Sequence, residues 1–222
     1  MLNSVEKCDF DHLVVGAHDL TMGREWFARM FKSEIATGGK HPDMSTHNLL
    51  SSVSDTGFIE VIAIDPEAPS PERTRWFSLD SPATRQLLTA TPQLLTWVVG
   101  TPDLDQSIEA LRSVGLNVGN ATQLQRGDLR WRLSVPEDGA LVENGVIPSL
   151  IEWQSNTHPA SAMQSNGLRL EELTLRHPEP QKIERALRII GADNLATVVA
   201  STDGAPSLSA IIDSPVGRQL IS

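Results

Sequence analysis

Two glutamates stand in almost the same apolar setting, FIEV at Phe58–Val61 and LIEW at Leu150–Trp153. A carboxylate buried on such a strand is costly unless it is paired or coordinates a cation. Glu60 and Glu152 therefore either line a cleft or bind an ion there, or they sit at a rim where alternate side chains of a strand reach water. His12, in DHLVV, has two readings of its own: a metal ligand, or a core histidine bonded to a backbone carbonyl. His47, in STHNLL, is either a ligand from a neighbouring strand or a histidine bonded to a nearby loop, and Asn48 beside it could orient a substrate. His18, His41, His158 and His177 fall in turns or at loop starts, and His18 and His41 are expected to be exposed. Arg75, Arg126 and Arg130 are candidate anchors for an anionic substrate, with surface solvation as the alternative for each.

Other chemistries are absent. No Walker-type loop, GxSxG or GxGxxG is present. Cys8 is the single cysteine, so neither an intramolecular disulfide nor a cysteine zinc cluster can form. The net charge of −10 argues against nucleic acid as a partner. No secretory signal and no apolar run long enough for a bilayer are seen, which makes the cytoplasm the expected location and a membrane role unexpected. Of the five tryptophans, Trp97 and Trp153 adjoin the candidate positions and are expected to pack behind them, because neighbours on a strand face opposite ways.

The elements that must carry these residues come from an internal repeat. DHLVVGAHDL (Asp11–Leu20) and LTWVVGTPDL (Leu95–Leu104) both read as a strand, a glycine and a turn ending in Asp-Leu. Amphipathic helices follow over Thr21–Phe31 and Asp105–Val114, with Asp19 and Asp103 as N-cap acceptors. Three strands are then predicted in each half: Glu34–Gly38, Ser45–Val53 and Gly57–Ile64, and again Asn117–Leu124, Leu129–Val135 and Ser149–Trp153. Turn signals such as Gly38-Gly39 and Glu137-Asp138-Gly139 divide them. The result is an α+β chain: a βαβββ unit over 8–66, a Pro-rich linker over 67–91, and a second unit over 92–160. A partial third repeat, βαββ, follows over 167–222, with its helix at Gln181–Ile190.

Tandem βαβββ units with His on the first strand and Glu on the last resemble the vicinal oxygen chelate superfamily. The segments DHLVV, HPDMSTHN, IEVIAIDPEAP, RWFSLD, RGDLRWRLSVPEDG and PSLIEWQSNTHP resemble its bacterial glyoxalase-like proteins. The resemblance implies incomplete barrels around a cleft that holds a divalent metal ion, Zn, Ni, Mn or Fe. Carried over, the ligands are His12, Glu60 and Glu152, with Thr96 where a histidine is often found and His47 as a substitute donor. Glu60 or Glu152 would serve as the base. The implied activity is a lyase, isomerase or dioxygenase reaction on a small oxygenated metabolite, the dioxygenase depending on His47. The alternative is a metal-free protein that binds or sequesters a small molecule. Monomer and homodimer are both compatible with this organisation.

Overall fold

The computed structural model describes residues 7–155 and 158–222. The first unit runs β1 (Asp9–Gly16), α1 (Leu20–Phe31), β2 (Ala36–His41), β3 (Thr46–Ser52) and β4 (Phe58–Ile64). After a short helix in the linker, α2 (Pro82–Leu88), the second unit runs β5 (Gln93–Gly100), α3 (Leu104–Ser113), β6 (Asn120–Arg126), β7 (Leu129–Val135) and β8 (Ser149–Trp153). The C-terminal part comprises β9 (Arg169–His177), α4 (Pro180–Ile189), β10 (Thr197–Ala200), β11 (Ser207–Asp213) and β12 (Gln219–Ile221).

The helices of the two βαβββ units, α1 and α3, begin where a capping acceptor stands. Asp19 accepts from the Met22 N–H at 2.8 Å and Asp103 from the Gln106 N–H at 2.9 Å. Replacing such a cap by alanine typically costs about 1 kcal/mol. The apolar stripes of α1 and α3 then settle on one face of a single eight-stranded sheet, ordered β2-β3-β4-β1-β5-β8-β7-β6. The two units are joined through antiparallel pairing of β1 with β5, and each unit pairs its first and last strands in parallel.

Alternation along the strands separates two apolar layers. Leu13, Val15, Ile59, Val61, Trp97 and Val99 face the helices, where they meet Phe27, Phe31, Ile108 and Leu111. Val14, Ile62, Val98, Trp131, Leu133 and Ile151 face the concave side of the curled sheet. The linker covers that side. Phe77 and Ser78 adopt left-handed backbone conformations, with φ of 56° and 55°, and the Ser78 N–H donates to the Gly139 carbonyl at 2.8 Å. This sharp bend lays Trp76 and Phe77 against the concave layer. The linker is thus a wall of the cleft as well as a crossing between units.

The C-terminal part follows the order strand, helix, strands, and adds β12, which the sequence pattern does not predict. Its sheet is ordered β10-β9-β11-β12, so β9 is flanked by the strand that follows its helix. In the first unit, the strand beside β1 is instead the last one, β4. Ile183, Ala186 and Leu187 of α4 join Leu173 and Leu175 in a core continuous with that of the helices. His177 is not at an open loop start. It is 2% exposed and its Nε2 lies 2.9 Å from Glu143, which also pairs with Lys182. Among the described residues, no helix is long and apolar enough to cross a membrane.

Candidate functional site

The concave face holds a cavity lined by His12, His41, Asn48 and Glu60 on one side and by Trp131, Trp153, Ile151 and the linker's Trp76 on the other. Its polar end is built around an irregularity in β1. The register against β5 slips between Phe10 and His12. A bulge of this kind turns a side chain that strict alternation would send to the other face. Here it lets Asp11 and His12, adjacent in sequence, point to the same place.

Asp11 is 3% exposed and accepts three hydrogen bonds. His12 Nδ1 lies 2.6 Å from one oxygen, and the Trp153 indole N–H and His158 Nε2 lie 2.7 and 3.1 Å from the other. Burial by itself would raise the Asp11 carboxyl, but the hydrogen bonds from His12 and His158 outweigh it and hold the group at about 2. A permanent carboxylate fixes its partners as donors. His158 Nδ1 accepts from the Ala160 N–H at 3.2 Å, so its Nε2 carries the proton given to Asp11. His12 likewise donates through Nδ1 and presents Nε2 to the cavity, 3.7 Å from Glu60 Oε2. The Phe58 ring stacks on His12 with centroids 4.5 Å apart and keeps the imidazole from rotating.

Glu60 comes from β4, where Phe58, Glu60 and Ile62 share the concave face. Its Oε1 accepts from Asn48 Nδ2 at 2.6 Å, and the Asn48 carbonyl oxygen accepts from the Gly39 N–H at 2.8 Å. These two bonds set the Asn48 amide, leaving Glu60 Oε2 as the oxygen turned toward His12. His41 lies beside this pair. It is 6% exposed, contrary to the expectation of an open turn, and burial lowers it to about 4. Its Nδ1 lies 3.1 Å from the Thr46 hydroxyl, and its Nε2 faces the donors Asn48 and Arg126, each at 3.5 Å. It is a neutral imidazole.

The structure brings together two of the four expected metal ligands, His12 and Glu60. It does not bring in Glu152, because that residue lies on the helix face of β8. There it meets Arg132 NH2 at 2.7 Å and accepts from the Leu104 N–H at 2.9 Å, at the start of α3. The pairing registers give the reason. Glu60 stands opposite Val14, and the repeat counterpart of Val14, Val98, stands opposite Ser149. Ser149 and Glu152 are an odd number of residues apart, so they point to opposite faces. The concave positions of β8 are Ile151 and Trp153, and Trp153 lines the cavity where packing behind the site was expected. His47 also faces outward. Its Nδ1 is 4.0 Å from Asp65, while Asn48 takes the inward position.

A divalent ion in a catalytic centre takes three protein donors and an open position. The donors here fall short of that. Thr96, at the fourth expected position, donates to the Gly145 carbonyl at 3.0 Å, and Asp11 is fully committed to its three partners. Among the described residues, no three His, Cys, Asp or Glu side chains group as a metal site requires. The arrangement does not fit a resident metal ion.

Sequence reasoning missed Asp11 and the buried position of His41, whereas Arg126 was among the candidate anion anchors. Asp11 depends on the bulge, which leaves no periodic signal. His41 was hidden because Gly38-Gly39 reads as a turn. In the structure the two glycines are an irregularity inside β2, which continues to His41.

Comparison with known proteins agrees with this architecture. A family model described as a glyoxalase-like domain matches residues 10–190. A hypothetical protein from Staphylococcus aureus superposes with a TM-score of 0.59 over 96% of this chain and 84% of its own, at 15% identity. Methylmalonyl-CoA epimerase from Mycobacterium tuberculosis superposes with a TM-score of 0.43 over 73% of this chain and 96% of its own, at 19% identity. No curated protein matches the chain. With the family model covering most of its length and tandem βαβββ units forming the cleft, the chain belongs to the glyoxalase-like domain family of the vicinal oxygen chelate superfamily.

Proposed function

We propose that the cleft performs metal-independent proton transfer at a carbon next to a carbonyl group of a small molecule, an isomerase- or lyase-type reaction. The observation that carries this reading is Oε2 of Glu60 facing Nε2 of an Asp11-held His12 across 3.7 Å, in a pocket where, among the described residues, no three side chains group as a metal site requires. Glu60 takes the proton from carbon as the C–H bond breaks, and the electron pair moves onto the carbonyl oxygen. The proton passes from Glu60 to His12 Nε2 and from there to the enolate, and the electron pair returns from the oxygen to make the new bond to hydrogen, so protons and electrons both balance. Asp11 holds the imidazole in the tautomer this requires and stabilises the imidazolium formed.

The test is deuterium exchange. The protein, treated with a chelator, is incubated in D2O with a panel of enolisable 2-oxo acids and 2-hydroxy ketones, and proton NMR follows C–H loss. Exchange that survives chelation and falls by about 10²-fold or more in Glu60→Gln supports the proposal. Exchange that depends on added Zn, Ni, Mn or Fe overturns it in favour of the metal-dependent reading. Saturable binding without exchange points to the metal-free binding protein, which the incomplete donor set also accommodates.

A further inference from the structure

Arg126 ends β6 and stands at the neck of the cavity. Together with Leu50 and Pro159 it lines both the inner cavity and a broad outer groove. Arg75, in the linker beside the cleft, is by contrast paired with Asp80 at 2.7 Å. Arg126 is half-buried, and among the described residues no carboxylate pairs with it. Its two polar contacts, His41 Nε2 and Asn48 Oδ1, are neutral groups at 3.5 Å. The side chain lies across Gly39, where a Cβ would come within 2.6 Å of its Cδ. Trp76, on the wall of the same cavity, has an indole N–H with no acceptor among the described residues. Glu60 attracts the guanidinium from beyond Asn48 without pairing with it, so the direct anionic partner that partial burial calls for would come from a ligand.

The charge of that anion follows from its surroundings. Asp11 and Glu60 lie deeper in the cavity and oppose a dianion, and Lys40 cannot assist because it pairs with Asp65 at 2.8 Å. One guanidinium matches one monoanion. Its planar fork fits a carboxylate through two parallel hydrogen bonds. Asn48 touches both Arg126 and Glu60, at 3.5 and 2.6 Å, so the anion and the reacting carbon are one side chain apart.

We infer that the site selects a small carboxylate, clasped by Arg126 at the neck with its reacting carbon against Glu60, and that the outer groove is its way in. What happens at the inner end rests on the proton-transfer proposal; the selection for charge stands on Arg126 and is tested by binding alone.

The experiment titrates wild-type protein with pyruvate, with pyruvamide as its neutral isostere, and with inorganic phosphate, reading the fluorescence of the cavity tryptophans. Pyruvate is expected to bind at least tenfold more tightly than pyruvamide. Arg126→Met should abolish that preference with the circular dichroism spectrum unchanged, and Arg126→Lys should restore part of it. Equal affinity for pyruvate and pyruvamide, no saturable pyruvate binding, or an unaltered preference in Arg126→Met overturns the inference. Phosphate binding as tightly as pyruvate overturns the assignment to carboxylates. A carboxylate preference without deuterium exchange leaves the inference standing and removes the proton-transfer proposal.

Discussion

The Asp11 carboxylate accepts the Trp153 indole N–H at 2.7 Å, although the two residues lie 142 positions apart in the chain. One comes from the first strand of the first unit and the other from the last strand of the second. Their contact ties the units together at the polar end of the cavity, and the same carboxylate orients His12. One buried charge therefore both reinforces the β1–β5 junction between the units and orients the imidazole.

Asp11→Asn is expected to damage both. The amide cannot accept from all three of its present donors, and an orphaned buried donor costs about 1–3 kcal/mol. The urea midpoint should fall accordingly. Deuterium exchange should drop by about 10²-fold or more even under conditions where the variant is fully folded, because His12 loses its fixed tautomer. Unchanged exchange in a folded Asp11→Asn protein would show that the imidazole does not depend on this carboxylate.

Stability should decline in acid in two stages. Burial lowers His41 from 6.5 to about 4, so between these values the unfolded chain binds more protons than the folded one. The stability due to neutral His41 is thus complete above about pH 6.5 and is lost as pH falls toward 4, on the order of 3 kcal/mol in all. His47, also lowered by burial, acts in the same direction. Asp11, held at about 2 against an ordinary 3.8, adds a further loss over that lower interval. Urea midpoints measured from pH 8 to pH 2 should show both declines, and His41→Asn should flatten the upper one.

Glu152→Ala and His47→Ala separate this site from a four-ligand metal centre. Glu152 serves the N-terminus of α3 and Arg132, so its loss should reduce stability by about 1–3 kcal/mol, since charged hydrogen bonds are broken. His47→Ala should change stability little. Neither substitution should alter exchange or pyruvate binding, since both side chains face away from the cavity. A large loss of exchange in either folded variant would reinstate the ligand role.

Gly39→Ala probes the neck without touching a charged group. The added methyl would lie 2.6 Å from Arg126 Cδ, and the flexible arginine can yield by swinging out of the neck. Pyruvate affinity should fall while pyruvamide affinity holds, as measured by the same fluorescence titration.

Much of the fold was legible in the residues themselves. The repeated DHLVVGAHDL and LTWVVGTPDL, the Asp19 and Asp103 caps and the alternating apolar strands determined two βαβββ units, because helix periodicity, capping and strand alternation are local properties of a chain. The same local signals placed His12 and Glu60 on apolar strands, and the structure puts them face to face. Tertiary structure decided the rest. Whether Glu152 or Trp153 enters the cavity depends on the pairing of β8 with β5, and a shift of one residue exchanges the faces. Asp11 reaches His12 through a bulge against β5, a strand about 80 residues further on. His41, Arg126 and Trp76 meet because three separate segments close over one concave sheet. Such contacts are set by long-range register and burial, and for that reason short-range sequence pattern could name the elements but not the full membership of the site.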